Sequence, residues 1–334
     1  MINPYKDIDW VNVLKIPACS HQHCETQAQF NNIVASGMYE TYAISNYYPS
    51  KPIYPLSDKF TDVPVDAISC PNAEHHNMSN NGSSLIGLHV NGLGCTKVSG
   101  SERHYEDGHW VNDEPVGFDG LDWRQAFTQI LNTQLYSDGG GITINHPNWS
   151  RHHGGLPQSV IEQMLNYDYR VLGIEVWNAN YESDEDYNWD WELWDAILRK
   201  GKRCWGFAAS DHTGQNSGSP EGRNILLCNS ADTYECLKAY REGRFYCQRK
   251  GTSLAFSSIA VSGGKLNVAT IGASTISVVI DSKKKTYSGN SVSVSIPNNV
   301  GYMRIEAASA DDIIWSNPIM FDKKNSFNKL IPFM

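Results

Sequence analysis

Two histidines separated by one residue, His21 and His23 in "SHQHCET", follow directly on the apolar segment "VLKIPAC". If that segment is a strand, its side chains alternate between faces and both imidazoles point the same way. Two parallel imidazoles can close on one metal ion or can simply end a strand, so the pair matters only if the chain supplies partners. Further groups of ligand type end other apolar stretches: Glu74, His75 and His76 in "CPNAEHHN", and His89 in "IGLHVNGLG". They continue with His146 in "ITINHPNW", Glu175 in "IEVWNAN", and Asp211 with His212 in "FAASDHTG". A mixed imidazole and carboxylate set without a thiolate pattern suits Zn, Mn or Fe, and a bridging carboxylate suits two such ions. Two divalent ions ~3.5–4 Å apart can activate a hydroxide and clamp the oxygens of a displacement at phosphorus.

The elements that must position these groups can be read from periodicity. Strand-like pieces are "TYAIS", "DAISC", "LIGLHV", "GITINH", "GIEVWN", "CWGFAAS" and "NILLCN". Helix-like pieces are "TQAQFNNIVASG", "WRQAFTQILNTQLYS", "PQSVIEQMLNY", "WELWDAILRKG" and "ADTYECLKAYREG". The last of these has Asp232 and Gly243 where capping would want them. Such alternation predicts an α/β fold with a mostly parallel sheet, most economically closed into a TIM-like barrel over residues 1–250. Ligand groups at strand ends would then gather at one mouth. From residue 251 to 334 the texture changes to short alternating strands such as "STISVVID" and "NSVSVSIP", which predicts a small all-β sandwich domain.

The blocks in this order resemble the PHP (polymerase and histidinol phosphatase) superfamily of metallohydrolases. H-x-H is followed by Glu74, "HVNGLG", "NHP", "GIEVWN" and "SDH", over about residues 18–250. "GRFY" and the tail that follows it look like bacterial members with a C-terminal β-sandwich. The resemblance implies a distorted (β/α)7 barrel and a metal-dependent phosphoesterase using a two-metal-activated hydroxide. It implies that His21, His23, Glu74 and Asp211 hold one ion, and that Glu74, His89 and His146 hold a second. Asp211 and His212 would be the catalytic groups, His212 as general acid or phosphate contact, its counterpart serving a third ion in trinuclear members. The chain departs from the family pattern at Ala28, Asn46 and Tyr47, where ligands of that third ion are expected, which implies two ions at most. A hydrolase of another ester or an amide, or a degenerate binding module, is the alternative reading.

Other signals are weaker. Arg151 and His152, on the loop after His146, and Glu175 are candidates for substrate contact. Arg103, His104 and His109 could belong to a lid. Cys24 is a candidate soft ligand, although the eight cysteines form no CxxC pair and read mainly as buried free thiols. Trp189, Trp191 and Trp194 read as a helix core and rim, or else as a sugar-stacking surface. The net charge of −9 argues against sequence-independent binding of nucleic acid. It leaves a small phosphorylated substrate open, because bound metal can invert the local field. No run is long enough to span a bilayer. "MINPYKDIDW" lacks a signal-peptide layout, from which a cytoplasmic location is expected.

Overall fold

The structure is a computed structural model that describes residues 1–47, 49–85, 87–100, 103–106, 109–112, 120–152, 156–180 and 188–322. The side chains of 103–106, 109, 110, 112 and 152 are outside that description, and with them the expected lid groups and His152.

All five helix-like stretches form helices: α1 (Gln27–Ala35), α2 (Trp123–Asn132), α4 (Gln158–Tyr167), α5 (Trp191–Arg199) and α6 (Thr233–Glu242). A short sixth, α3 (Pro147–His152), starts directly after His146. The caps follow local chemistry. The Thr26 hydroxyl accepts the Gln29 N–H in a capping box, Asp232 accepts the Glu235 N–H, and Gly243 ends α6 at φ 72.

The expected (β/α)7 TIM-like barrel is not what these elements build. The strands nearest the ligand groups are β1 (Leu14–Ala18), β2 (Glu74–His75), β3 (Val90–Leu93), β4 (Gly141–Ile144), β5 (Val171–Asn178), β6 (Trp205–Ala209), β7 (Arg223–Cys228), β8 (Phe245–Gln248) and β9 (Ile313–Ser316). One five-stranded sheet has the order β6-β5-β4-β3-β2, in which only β6, β5 and β4 are parallel neighbours. β3 runs antiparallel to both β4 and β2. A ten-stranded sheet contains β1, β7, β8 and β9, and β1 pairs antiparallel with β7. The physical reason is the missing crossovers. Among the described residues between Tyr42 and Trp123 there is one turn of 3-10 helix, Leu56–Asp58, with short hairpins in place of α-helices. Strands joined without a long crossover pair antiparallel.

Two seams therefore separate the sheets, and asparagine side chains bridge them. Asn224 on β7 accepts the Ala208 N–H (3.1 Å) and donates to Ala208 O (3.0 Å) and to Ser20 Oγ (3.0 Å), a side-chain substitute for a ladder rung. On the other side Asn72 and Asn91 both donate to Ser20 O, at 3.1 and 3.0 Å.

Beyond residue 250 the described chain has strands and no helix; three of these strands form a sheet of their own, and the others extend the ten-stranded sheet, since β8 pairs antiparallel with β9. β7 and β8 alternate accordingly. Leu226, Cys228, Phe245 and Cys247 face the main core, while Ile225, Leu227 and Tyr246 face a second core shared with Phe256, Ile259 and Leu266. The tryptophans reinforce this junction. Trp189 and Trp191 stack at 4.8 Å and both pack against Trp315, while Arg304 lies over Trp191 and Trp194 and pairs with Asp195. Trp194 is buried core and Trp189 and Trp191 its partly buried rim, and together they tie α5 to the C-terminal strands. No helix of the described residues is long and apolar enough to cross a membrane.

Because Asn224 serves both backbone groups of Ala208, Asn224→Ala leaves the Ala208 N–H without its side-chain partner and its C=O with the Ser20 hydroxyl at 3.3 Å. The expected cost is about 1–3 kcal/mol of unfolding free energy for the orphaned N–H. Urea denaturation measures it, and a midpoint within error of the parent would contradict the seam.

Candidate metal centre

β1 ends at Ala18 and the chain bends at Ser20 and His21, yet backbone hydrogen bonds around the bridge residue Gln22 hold it from both sides. The His23 N–H donates to Asp211 O (2.9 Å), the Asp211 N–H to His21 O (3.0 Å), and the Ser45 N–H to Gln22 O (3.0 Å). His21 and His23 consequently share one face. The intervening Gln22 uses its amide to donate to the carbonyls of Asp211 (3.0 Å) and Thr213 (3.1 Å). Asn46 brackets the next residue, accepting the Cys24 N–H and donating to Cys24 O.

Eight of the sequence candidates meet at this point: His21, His23, Glu74, His89, His146, Glu175, Asp211 and His212. The Glu74 carboxylate is the hub. Its Oε1 lies 3.0 Å from His89 Nδ1, 3.3 Å from His146 Nε2 and 3.5 Å from His21 Nε2, and its Oε2 lies 3.1 Å from His23 Nε2. Asp211 Oδ1 stands 3.2 Å from His23 Nε2 and 3.6 Å from both His21 and His212 Nε2. Three groups have ligand atoms close enough to hold an ion: His21–His23–Glu74, Glu74–His89–His146 and His23–Asp211–His212.

The donor set fits a cation on its own chemistry. Glu175 Oε1 lies 2.7 Å from His21 Nδ1, which fixes the proton there and leaves Nε2 a lone pair. That lone pair faces His23 Nε2 at 3.2 Å. Tetrahedral ligation at the usual zinc–imidazole bond length puts two nitrogens about 3.3 Å apart. His21, His23, Glu74 and Asp211 are buried, with His89 and His212 partly open, so the centre has one accessible side.

Electrostatics point the same way. Burial opposes charge on His21, yet Glu74, Asp211 and Glu175 outweigh it and hold its pKa well above the ordinary value. His23 is raised likewise, against its own burial, by Asp211 and Glu74. Glu74 is buried, which would raise its pKa, but the surrounding imidazoles of His21, His89 and His146 hold it well below the usual carboxylate range. Two Nε2 atoms at 3.2 Å leave room for one proton between them, the place an ion would take.

The backbone is strained at two of these residues. His146 has φ 30 and Asp211 has φ 55, conformations that cost of order 1–3 kcal/mol each in a non-glycine residue. Hydrogen bonds hold them: the His146 N–H donates to Glu175 Oε2 (2.8 Å), and Asn178 Nδ2 donates to both Glu175 Oε2 (2.9 Å) and Asp211 Oδ2 (3.2 Å).

Not every candidate is a ligand or faces the open side. Glu175 faces His21, the His146 backbone and Asn178, so it positions the centre from behind and does not face an entering substrate. Arg151 turns toward α5 and pairs with Asp190 at 2.7 Å. His75 meets Ser99 Oγ at 2.7 Å, with burial pushing its pKa down to about 3, and His76 meets Tyr47 O at 3.1 Å. Cys24 is buried, its thiol pushed up to about 12 by burial, and belongs to none of the three groups. Ala28 sits exposed on α1, away from any ligand role. Tyr47 stands at the centre itself, its ring edge-on to His23 at 4.6 Å and its hydroxyl 3.4 Å from His212 Nε2. The sequence reading missed Gln22, Asn145 and Asn178, which hold the ligands. Asn145, whose Nδ2 donates to Glu74 Oε1 (2.9 Å), precedes His146, and Asn178 ends the block that carries Glu175, so adjacency was the available signal.

No family model matches the chain, and no curated protein matches it. Among solved structures it is similar to a two-domain protein from Bacteroides vulgatus containing a predicted PHP-like metal-dependent phosphoesterase. That similarity has 10% identity and a TM-score of 0.45, over 96% of this chain and 98% of the other.

Because His21 and His23 hold protons more tightly than free imidazole, an entering divalent ion must displace protons at neutral pH. Raised histidine pKa values mean that lowering the pH strengthens this competition, so affinity should fall as pH drops from 8 to 6. Calorimetric titration of the metal-free protein with ZnCl2 or MnCl2, in two buffers of different ionisation enthalpy, should show net proton release. Binding without released protons would contradict the arrangement.

Proposed function

We propose that this chain is a metal-dependent hydrolase, most specifically a phosphoesterase acting on a small phosphorylated substrate with two divalent ions of Zn, Mn or Fe. The observation that carries the reading is the position of Glu74, which presents one oxygen to His23 and the other to His89 and His146. A carboxylate shared in this way suits a paired-ion site, in which the bound ions would supply a nucleophile near neutral pH and stabilise charge on phosphoryl oxygens. His21, His23, Glu74 and Asp211 would hold one ion, and Glu74, His89 and His146 the other. The proximity of Tyr47 to His212 supports two ions, because a third beside His212 would have to displace that contact.

The chain's own residues divide the remaining work. Glu175 fixes the His21 tautomer, and Asn145 and Asn178 orient the two carboxylates. His212 lies on the open side, its ring stacked on His23 at 4.0 Å and 12°. It is held in plane there and can pass a proton to a leaving oxygen. Burial and the neighbouring His23 lower its pKa, so its protonated form is a stronger acid but a smaller fraction at neutral pH. The alternatives, hydrolysis of another ester or amide and a binding role without turnover, are separated by the same assays.

Elemental analysis of the purified protein, followed by a panel of phosphomonoesters and phosphodiesters with each metal, tests the reading. Glu74→Ala should cut hydrolysis by more than the ~10–100-fold that loss of an outer partner alone produces. Chelation should do the same, reversibly. Full activity in Glu74→Ala, or in chelated protein, would sink the proposal.

For His212, the expected signature is a dependence on the leaving group. His212→Asn should slow alkyl phosphate esters by about 10²–10⁴-fold and aryl esters, whose leaving oxygen needs no proton, far less. Equal losses on both ester types would remove His212 from the role of acid.

A further inference from the structure

His146 enters α3 from a strained backbone, φ 30, so its place beside Glu74 depends on what holds that short helix. One tether is at the start of the helix, where the His146 N–H donates to Glu175 Oε2 on β5 at 2.8 Å. A second tether leads from the far end back to the same strand. Arg151 Nη2 donates to Asp190 Oδ1 at 2.7 Å and to Asn148 Oδ1 at 3.2 Å. The Asp190 N–H in turn donates at 2.9 Å to the carbonyl of Val176, the neighbour of Glu175 on β5. Asn148 Nδ2 donates to Trp189 O at 2.9 Å alongside. Glu175, His146, α3, Arg151, Asp190 and Val176 thus form a closed ring that begins and ends on adjacent residues of one strand.

Asp190 is an expensive residue to keep in that ring. It is 4% exposed, and its Oδ2 has no hydrogen-bond partner among the described residues. Burial, opposed by Arg151, pushes its carboxyl up to about 7. It belongs to none of the three ligand groups, and among the described residues its one ion pair is with Arg151. A buried carboxylate needs a specific partner to offset its lost hydration, and here that partner is the residue that anchors α3.

We propose that Arg151 and Asp190 are a positioning pair: they hold α3 on β5, so that His146 Nε2 stays at Glu74. Resting on the paired-ion reading, they also preform the His89–His146 half of the centre.

The full chain is compared with Arg151→Met, Asp190→Asn and the double variant. In metal-free protein, NMR hydrogen exchange at the His146 N–H should quicken about tenfold or more in each, as loss of one charged hydrogen bond implies. Exchange at the Asp211 N–H, bonded to His21 O across the centre, should not change. The double variant should match the singles, because either change opens the same tether. Titration with CoCl2, read by visible absorption, should weaken one binding step about 10–100-fold and leave the other as in the parent. The Arg151 side chain is 30% exposed, so Arg151→Met carries the test should Asp190→Asn fail to fold. Faster exchange at His146, in a parent that binds a single cobalt ion, keeps the tether and removes the paired-ion reading alone. Unchanged exchange at His146, additive effects in the double variant, or a parent with two ions whose affinities fall equally or not at all in the variants would overturn the pair.

Discussion

A carboxylate with 1% exposure, Glu74, is the constraint around which this molecule is arranged. Removing an ionised carboxylate from water costs several kcal/mol even after relaxation, and only positive charge and hydrogen bonds placed around it can offset that. Four imidazoles and one amide surround Glu74, drawn from segments separated by up to 125 residues in sequence, from His21 to His146. They come from the stretch after β1 in one sheet and from the ends of β3 and β4 in the other, which carries Glu74 itself on β2. The charge requirement thus becomes a requirement on the fold: two sheets must be brought edge to edge at one end, within hydrogen-bonding distance.

Hydrogen bonds of Ser20, immediately before the histidine pair, meet that requirement. Its carbonyl accepts from Asn72 and Asn91 across one seam, and its hydroxyl donates to Ala208 O at 3.3 Å across the other. A closed ladder would have joined the strands more uniformly, but would also have fixed their spacing by backbone geometry. Side-chain amides let the two sheets meet at an angle set locally. They also leave β1 free to continue into the H-x-H stretch, where Gln22 bridges to both Ile44 and Asp211. The positive φ values of His146 and Asp211 fit the same logic, because Glu175 and Asn178 hold in place what the chain alone would relax.

What was legible in the sequence was what is local. Period-3.6 patterns located all five longer helices, because each buries one stripe, and side-chain caps start three of them, α1, α2 and α6. The ligand candidates were legible because imidazoles and carboxylates at the ends of apolar runs are costly without a purpose. The pairing of strands was not legible. "LIGLHV" reads as another strand in an alternating series, and nothing within it says that β3 lies antiparallel between β2 and β4. That depends on the absence of helices over a long stretch, and on asparagines whose partners are distant in sequence. The continuity of the large sheet past residue 250 was hidden for the same reason. Ile225, Leu227 and Tyr246 look like ordinary strand residues until a second core is found on their face of the sheet.

The three residues that differ from the pattern the sequence resembles, Ala28, Asn46 and Tyr47, each have surroundings that account for them. Ala28 is exposed on α1, so a carboxylate there would sit in solvent. Asn46 is committed to both backbone groups of Cys24, and replacing it would loosen the segment that carries His23. Tyr47 fills space against His23 and reaches His212. A phenol in that place adds no anionic charge to that of Glu74 and Asp211. Asn46 and Tyr47 thus have structural work of their own: Asn46 fixes the Cys24 backbone next to His23, and Tyr47 packs edge-on against the stacked rings of His23 and His212. The balance of the centre then rests on the charges of Glu74, Asp211 and Glu175 against whatever positive charge the imidazoles and bound ions provide.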